Sequence, residues 1–264
     1  MFHKSIFQLM KKEKWDQVRT RLDKLLSEND AEPSSRSSSS SSLLRSLKRE
    51  LSSHDFSMQN ALLRCLSFKP PLDIVESIIE LYPQQVKETD YFGATALHVA
   101  NLGCDIDVIE RLIELNPKAA VQRDIFYRTP LVYAVFSNSS LDKVATVCQA
   151  APSVLLIPDE EGHYPIDHAK LTSESVVYMI QGFSKIYRER CEAIEASMED
   201  DVTNEELERI ANLSFGWTKG TVSELFSTER PNSSVWTDGD VEELCSIDQP
   251  QNQPRRRGNN ATAA

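Results

Sequence analysis

Ile106-Asp107-Val108-Ile109-Glu110-Arg111-Leu112-Ile113-Glu114-Leu115-Asn116-Pro117 lies nearly position for position over Leu72-Asp73-Ile74-Val75-Glu76-Ser77-Ile78-Ile79-Glu80-Leu81-Tyr82-Pro83. A weaker third copy runs from Leu141 to Pro152. The closing prolines stand 34 and 35 residues apart, and Asp90, Asp124 and Asp159 keep the same step. Self-similarity at this length marks a solenoid, whose units bury their apolar faces only against one another. Within the second copy Ile106, Ile109, Leu112 and Ile113 form a stripe at helical spacing, with Glu110, Arg111 and Glu114 on the wet side. The proline ends each helix, because it lacks an N–H and disfavours a helical predecessor. The expected fold class is all-α.

A shorter phrase precedes each of these helices. Its clearest copy is Asp90-Tyr91-Phe92-Gly93-Ala94-Thr95-Ala96-Leu97-His98-Val99-Ala100; the others start at Asp124 and Asp159. Asp and Gly suit a tight turn, where Gly takes positive φ without steric cost. Thr95 and Thr129 are placed to cap a helix, and Pro130 and Pro165 to open one with φ already set. The phrase resembles the ankyrin repeat, whose core is Thr-Pro-Leu-His-x-Ala. The resemblance covers residues 56–182, near half the chain. Departures are Ala96 for the proline, Tyr127 for the turn glycine, and Val132 and Asp167 for the histidine. A tetratricopeptide array shares the spacing, but its Trp-x-x-Leu-Gly-x-x-Tyr phrase occurs in no copy. The resemblance implies an ankyrin-type helical solenoid of turn-plus-two-helix units, with a concave face beside an edge of turn tips. It also implies that His98 is structural, hydrogen bonding across repeats.

Outward from the repeats, residues 1–32 read as an N-terminal capping segment. Ile6, Leu9, Met10, Trp15, Val18, Leu22, Leu25 and Leu26 fall at helical steps, so 2–27 is expected to be helical. Residues 33–42, rich in serine, form a flexible insertion with too little apolar surface to offset ordering entropy. Arg36, Arg45, Lys48 and Arg49 surround these serines in a pattern kinases read; a passive solvated loop is the alternative. Residues 43–199 hold a second capping helix, the repeats and a last helix over 174–199. Residues 200–264 form an acidic, disordered tail, with apolar islands at Leu213–Trp217 and Val235–Trp236.

The net charge of −11 comes mostly from that end. Residues 191–264 carry 6 Lys/Arg against 15 Asp/Glu. Phosphate binding needs a basic face, so nucleic acid is not the expected partner. No run of 18 apolar residues exists to cross a membrane, and Met1-Phe2-His3-Lys4 lacks a secretion h-region. Five cysteines, none in a Cys-x-x-Cys pair, fit reduced thiols in a cytoplasmic or nuclear protein.

Catalytic signatures are missing from the sequence. No GxGxxG, GxxxxGK or Gly-x-Ser-x-Gly occurs, and the carboxylates sit on helix faces. His163 and His168 are five apart with Pro165 between them, which does not fit a helical i, i+4 ligand pair, so no metal or other cofactor is expected. The candidate binding residues are the tip aromatics and their neighbour: Tyr91, Phe92, Ile125, Phe126 and Tyr127. Exposed rings desolvate much area for little side-chain entropy. The expected function is a non-enzymatic protein-interaction module, a scaffold or adaptor for a protein partner. The alternatives are the targeting part of an enzyme and an inhibitor that uses its acidic tail.

Overall fold

A computed structural model describes residues 5–30 and 42–197. The serines through Ser41, the tail 200–264 and both tail islands lie outside the described residues. The described chain is helical throughout: α1 Ile6–Met10, α2 Trp15–Asp30, α3 Ser42–Ser52, α4 Ala61–Leu66, α5 Leu72–Leu81, α6 Ala96–Ala100, α7 Ile106–Leu115, α8 Pro130–Phe136, α9 Leu141–Ala150, α10 Pro165–Lys170 and α11 Glu174–Ser197. Among the described residues there is no strand, only an isolated bridge between Thr89 and Thr95.

Short and long helices form separate layers. The short ones contact one another in the order α1, α4, α6, α8, α10, and the long ones in the order α2, α5, α7, α9, α11. The core lies between the layers, where Leu62, Leu66, Ile74, Ile78, Leu97, Ile109, Leu131, Val144 and Phe183 are buried. Arg19 of α2 forms an ion pair with Asp73 of α5 that holds the Asp73 carboxyl below its ordinary range.

Several local expectations are corrected. From Ser5 on, the segment expected to be one helix is two, because the chain turns at Lys11–Lys14 with Glu13 at φ 54°. There the Lys14 and Glu13 amides donate to the Leu9 and Met10 carbonyls, a left-handed helix closure. Ala134–Ser139 repeats that closure with Asn138 at φ 50°. The prolines do more than end helices: each opens a 3-10 turn, at Pro83–Lys87, Pro117–Val121 and Pro152–Leu156. In α7 the buried stripe is Val108, Ile109 and Leu112, while Ile106 and Ile113 are half-buried at its margins.

Gln85, in the first 3-10 turn, is buried and locks three segments. Its Nε2 donates to the Leu51 carbonyl at 2.9 Å, and its Oε1 accepts from the Leu62 amide at 3.0 Å. Burying an amide at this point is tolerable because it satisfies backbone groups that would otherwise lose water unpaired.

Candidate functional site: the edge of turn tips

The loop before each of α4, α6, α8 and α10 folds in the same way around one aspartate. Asp55, Asp90, Asp124 and Asp159 follow at steps of 35, 34 and 35 residues. Each Oδ1 accepts two backbone N–H groups, two and four residues on. These are Ser57 and Gln59, Phe92 and Ala94, Phe126 and Arg128, and Glu161 and His163, all between 2.8 and 3.0 Å. Each aspartate amide also donates to the carbonyl four residues on. The turn therefore closes through a carboxylate and not through glycine alone. The residue three after the aspartate takes positive φ in every copy: Met58 at 58°, Gly93 at 74°, Tyr127 at 58° and Gly162 at 83°.

The tips are stitched to one another through the backbone. Tyr91 N–H donates to Ser57 O at 2.8 Å, Ile125 N–H to Phe92 O at 2.8 Å, and Glu160 N–H to Phe126 O at 3.0 Å. Because the backbone makes this ladder, the tip side chains are not needed to staple turns together. Tyr91, Phe92, Ile125, Phe126 and Tyr127 are all exposed, Tyr91 to 69% and Tyr127 to 53%. Tyr91 and Phe92 meet edge to face at 5.5 Å. The guanidinium of Arg128 stands 4.9 Å from the Phe126 ring centre, and that of Arg123 stands 5.9 Å from Tyr127, both within cation–π range. Beyond these two apolar tips the next one, at Asp159, is acidic, with Glu160 and Glu161 exposed.

Sequence reasoning missed part of this edge. Phe56 and Met58 are exposed on the first turn and extend the apolar row by one tip. The available signal is Asp55, one period before Asp90. Phe136, at the end of α8, is also exposed, packs on His168 at 4.6 Å and sits beneath Arg128.

The helix starts behind the tips show which substitutions the turn tolerates. Thr95 Oγ1 accepts from His98 N–H, and His98 Nδ1 accepts from Thr95 N–H at 3.1 Å. That acceptance leaves the proton on Nε2, which donates to Arg128 O of the next turn at 3.1 Å. His98 thus bridges successive turns. Asp167 occupies the corresponding place in the first turn of α10 and does the inward half of this work, its carboxylate accepting from Tyr164 N–H at 3.0 Å. Thr129 does not cap as expected: its Oγ1 is buried without a partner, and Val132 N–H bonds to the Thr129 carbonyl instead. With Val132 in the histidine's place, no side chain reaches back to orient the threonine.

Burial lowers the His98 pKa, against the opposing pull of the Arg128 carbonyl and of Asp124 and Asp90, so the ring folds neutral. The unfolded chain binds a proton near pH 6.5 that the folded chain refuses. Stability is therefore full above that pH and declines as pH falls below it, by up to about 1.4 kcal/mol per pH unit until the folded ring also protonates. Urea titrations across pH 7 to 5 should show this slope, and His98→Asn should remove it.

At the fourth turn Asp159 meets both histidines that the helical-spacing argument set aside. His168 Nε2 donates to Asp159 Oδ2 at 2.8 Å, and His163 Nδ1 lies 4.0 Å from Asp159 Oδ1 and 3.4 Å from Glu161. An i, i+4 spacing applies only to two residues of one helix, whereas His163 belongs to the turn and only His168 to α10. Burial pushes the Asp159 carboxyl upward, yet the His163 and Glu161 amides and His168 outweigh it and hold it below its ordinary range.

Cys65, Cys104 and Cys148 are buried and unpaired, and Cys191 is half-buried; Cys245 lies outside the described residues. Burial raises the Cys104 thiol to about 12 and the other two buried thiols higher, so all three stay protonated at neutral pH. Among the described residues no helix is long and apolar enough to cross a membrane. Compared with protein-family models and with curated proteins, the chain matches none.

Proposed function

We propose that this chain is an ankyrin-type interaction module whose edge of turn tips engages a protein partner. The five layered helix pairs, the four aspartate turns and the His98 bridge support the ankyrin reading, with α1 and α2 as the first, capping pair. One observation carries the functional reading: exposed Tyr91, Phe92, Ile125, Phe126 and Tyr127 stand on turns that the backbone alone already ties together. Rings that the fold does not need and that water does not favour are anchors for another surface. Tyr127 adds to this, since a bulky residue held at φ 58° costs conformational energy that glycine in the same place avoids. Arg123 and Arg128 beside the rings give the surface a cationic rim, suited to a partner with carboxylates around an apolar centre.

The test is a double variant, Tyr91→Glu with Phe126→Glu, compared with wild type at equal folded concentration in capture from a cell lysate. The fold should be kept, because both side chains point away from the core. Specific capture should be lost, since each anchor contributes about 2 kcal/mol or more and a buried glutamate adds a desolvation cost. Tyr127→Gly should weaken the same capture while leaving stability unchanged or raised by up to about 1 kcal/mol. An identical capture profile in all three proteins would sink the tip assignment.

A further inference from the structure

Four turns share one aspartate geometry, yet they differ in what stands four and nine residues after it. The fourth position holds Gln59, Ala94, Arg128 and His163, and the ninth holds Arg64, Val99, Tyr133 and His168. The ninth residue has a structural duty where it is polar. Tyr133 Oη donates to Asp124 Oδ2 at 2.8 Å, and Arg64 pairs with Asp55 Oδ2 at 3.7 Å. His168 performs that duty for Asp159. No such duty falls on the fourth residue's side chain, since the turn uses only its backbone. His163 is half exposed and its Nδ1 faces Asp159 and Glu161.

Only the fourth turn therefore brings two imidazoles to one carboxylate. One ligand atom from each of Asp159, His163 and His168 lies within 4.8 Å of the others. A tetrahedral ion with bonds of about 2.0–2.1 Å needs ligand atoms about 3.3 Å apart. The Asp159–His168 pair must open slightly from 2.8 Å, and the exposed His163 ring must swing inward. The two buried members are already aimed. Two backbone amides hold Asp159 by its Oδ1 and leave Oδ2 to an ion, and Phe136 packs on the His168 ring. Glu160 and Glu161 add negative charge at the mouth, while Arg128 stands over Phe136 on the opposing side of the balance.

We propose that Asp159, His163 and His168 bind a divalent late transition ion of the zinc class, with a fourth position open to solvent. Two nitrogens and one carboxylate suit that class, whereas magnesium and calcium want all-oxygen shells. The ion takes the place of the proton that His168 Nε2 shares with Asp159; that proton exchanges through solvent, and the ligating ring is a neutral imidazole with its one proton on Nδ1.

The test is equilibrium dialysis of the full chain against Zn2+ near neutral pH, with His163→Ala and His168→Gln beside wild type. Glutamine keeps a donor for Asp159 and so keeps the turn, but it cannot replace the imidazole as a ligand. Thermal melts without metal establish that both variants fold. Wild type should bind one ion per chain that each variant binds at least about tenfold more weakly, and only wild-type melting should rise with Zn2+. Substituted Co2+ should give ligand-field bands of nitrogen and oxygen donors, without the intense thiolate charge-transfer band. No binding by wild type at tens of micromolar Zn2+, equal binding by the variants, or a thiolate spectrum would each overturn the proposal.

Discussion

Asp124→Ala should destabilise the protein by about 2–4 kcal/mol, although the substitution sits in a surface loop. The carboxylate accepts Phe126 N–H at 2.8 Å, Arg128 N–H at 2.9 Å and Tyr133 Oη–H at 2.8 Å, and the residue is 5% exposed. Each hydrogen bond to a charged acceptor contributes about 1.5–3 kcal/mol, and a donor left unpaired away from water loses its solvation as well. The cost stays below the plain sum of these bonds because the turn's outer amides recover water. Asp124→Asn keeps an acceptor at Oδ1 and should cost less. Asp142→Ala, on the exposed start of α9, serves as the control and should stay within about 0.5 kcal/mol. Urea denaturation measures all three. A wild-type midpoint for Asp124→Ala would mean that the carboxylate does not hold the turn.

Leu112→Ala should cost about 2–5 kcal/mol through lost burial and the cavity left behind. Leu112 is 2% exposed in α7, on the stripe with Val108 and Ile109 that faces between neighbouring helix pairs. The loss should not stay within α7, because α7 lies between α5 and α9 and each pair leans on the next. Ile113→Ala, one position on and half-buried, should cost distinctly less. Calorimetric melting of the two variants separates them, and equal effects would place the buried face of α7 elsewhere.

The long helices were the most legible part of the fold. In α5, α7 and α9 the apolar stripes and closing prolines recur on one period, and the helical assignment follows from spacing alone. At α7 the expected stripe differs from the buried face, because Ile106 and Ile113 are apolar yet lie half-buried at its margins while Val108 is buried. The break between α1 and α2 was not legible. It rests on Glu13 in a left-handed conformation, which carries none of the usual glycine or asparagine signal. Met58 hides its turn for the same reason, since the Asp55 carboxylate imposes the loop without the expected glycine; at Asp124 the rest of the phrase makes the turn readable although Tyr127 replaces the glycine. Phe56 and Met58 were missed as tip residues because the Asp55 phrase shares little else with the others. The cluster at Asp159 was hidden by a helical rule applied across a turn and a helix.

The tips form one stitched edge that holds exposed aromatic side chains in place. Residue-resolved hydrogen exchange of the Tyr91, Ile125 and Glu160 amides tests it most directly. Each donates to the neighbouring tip at 2.8 to 3.0 Å, although the side chains beside them stand in solvent. All three should be protected well above unbonded loop amides, and that protection should fall together in Asp124→Ala. Exchange of these amides at free-peptide rates would contradict it, leaving four separate loops where the structure places one surface.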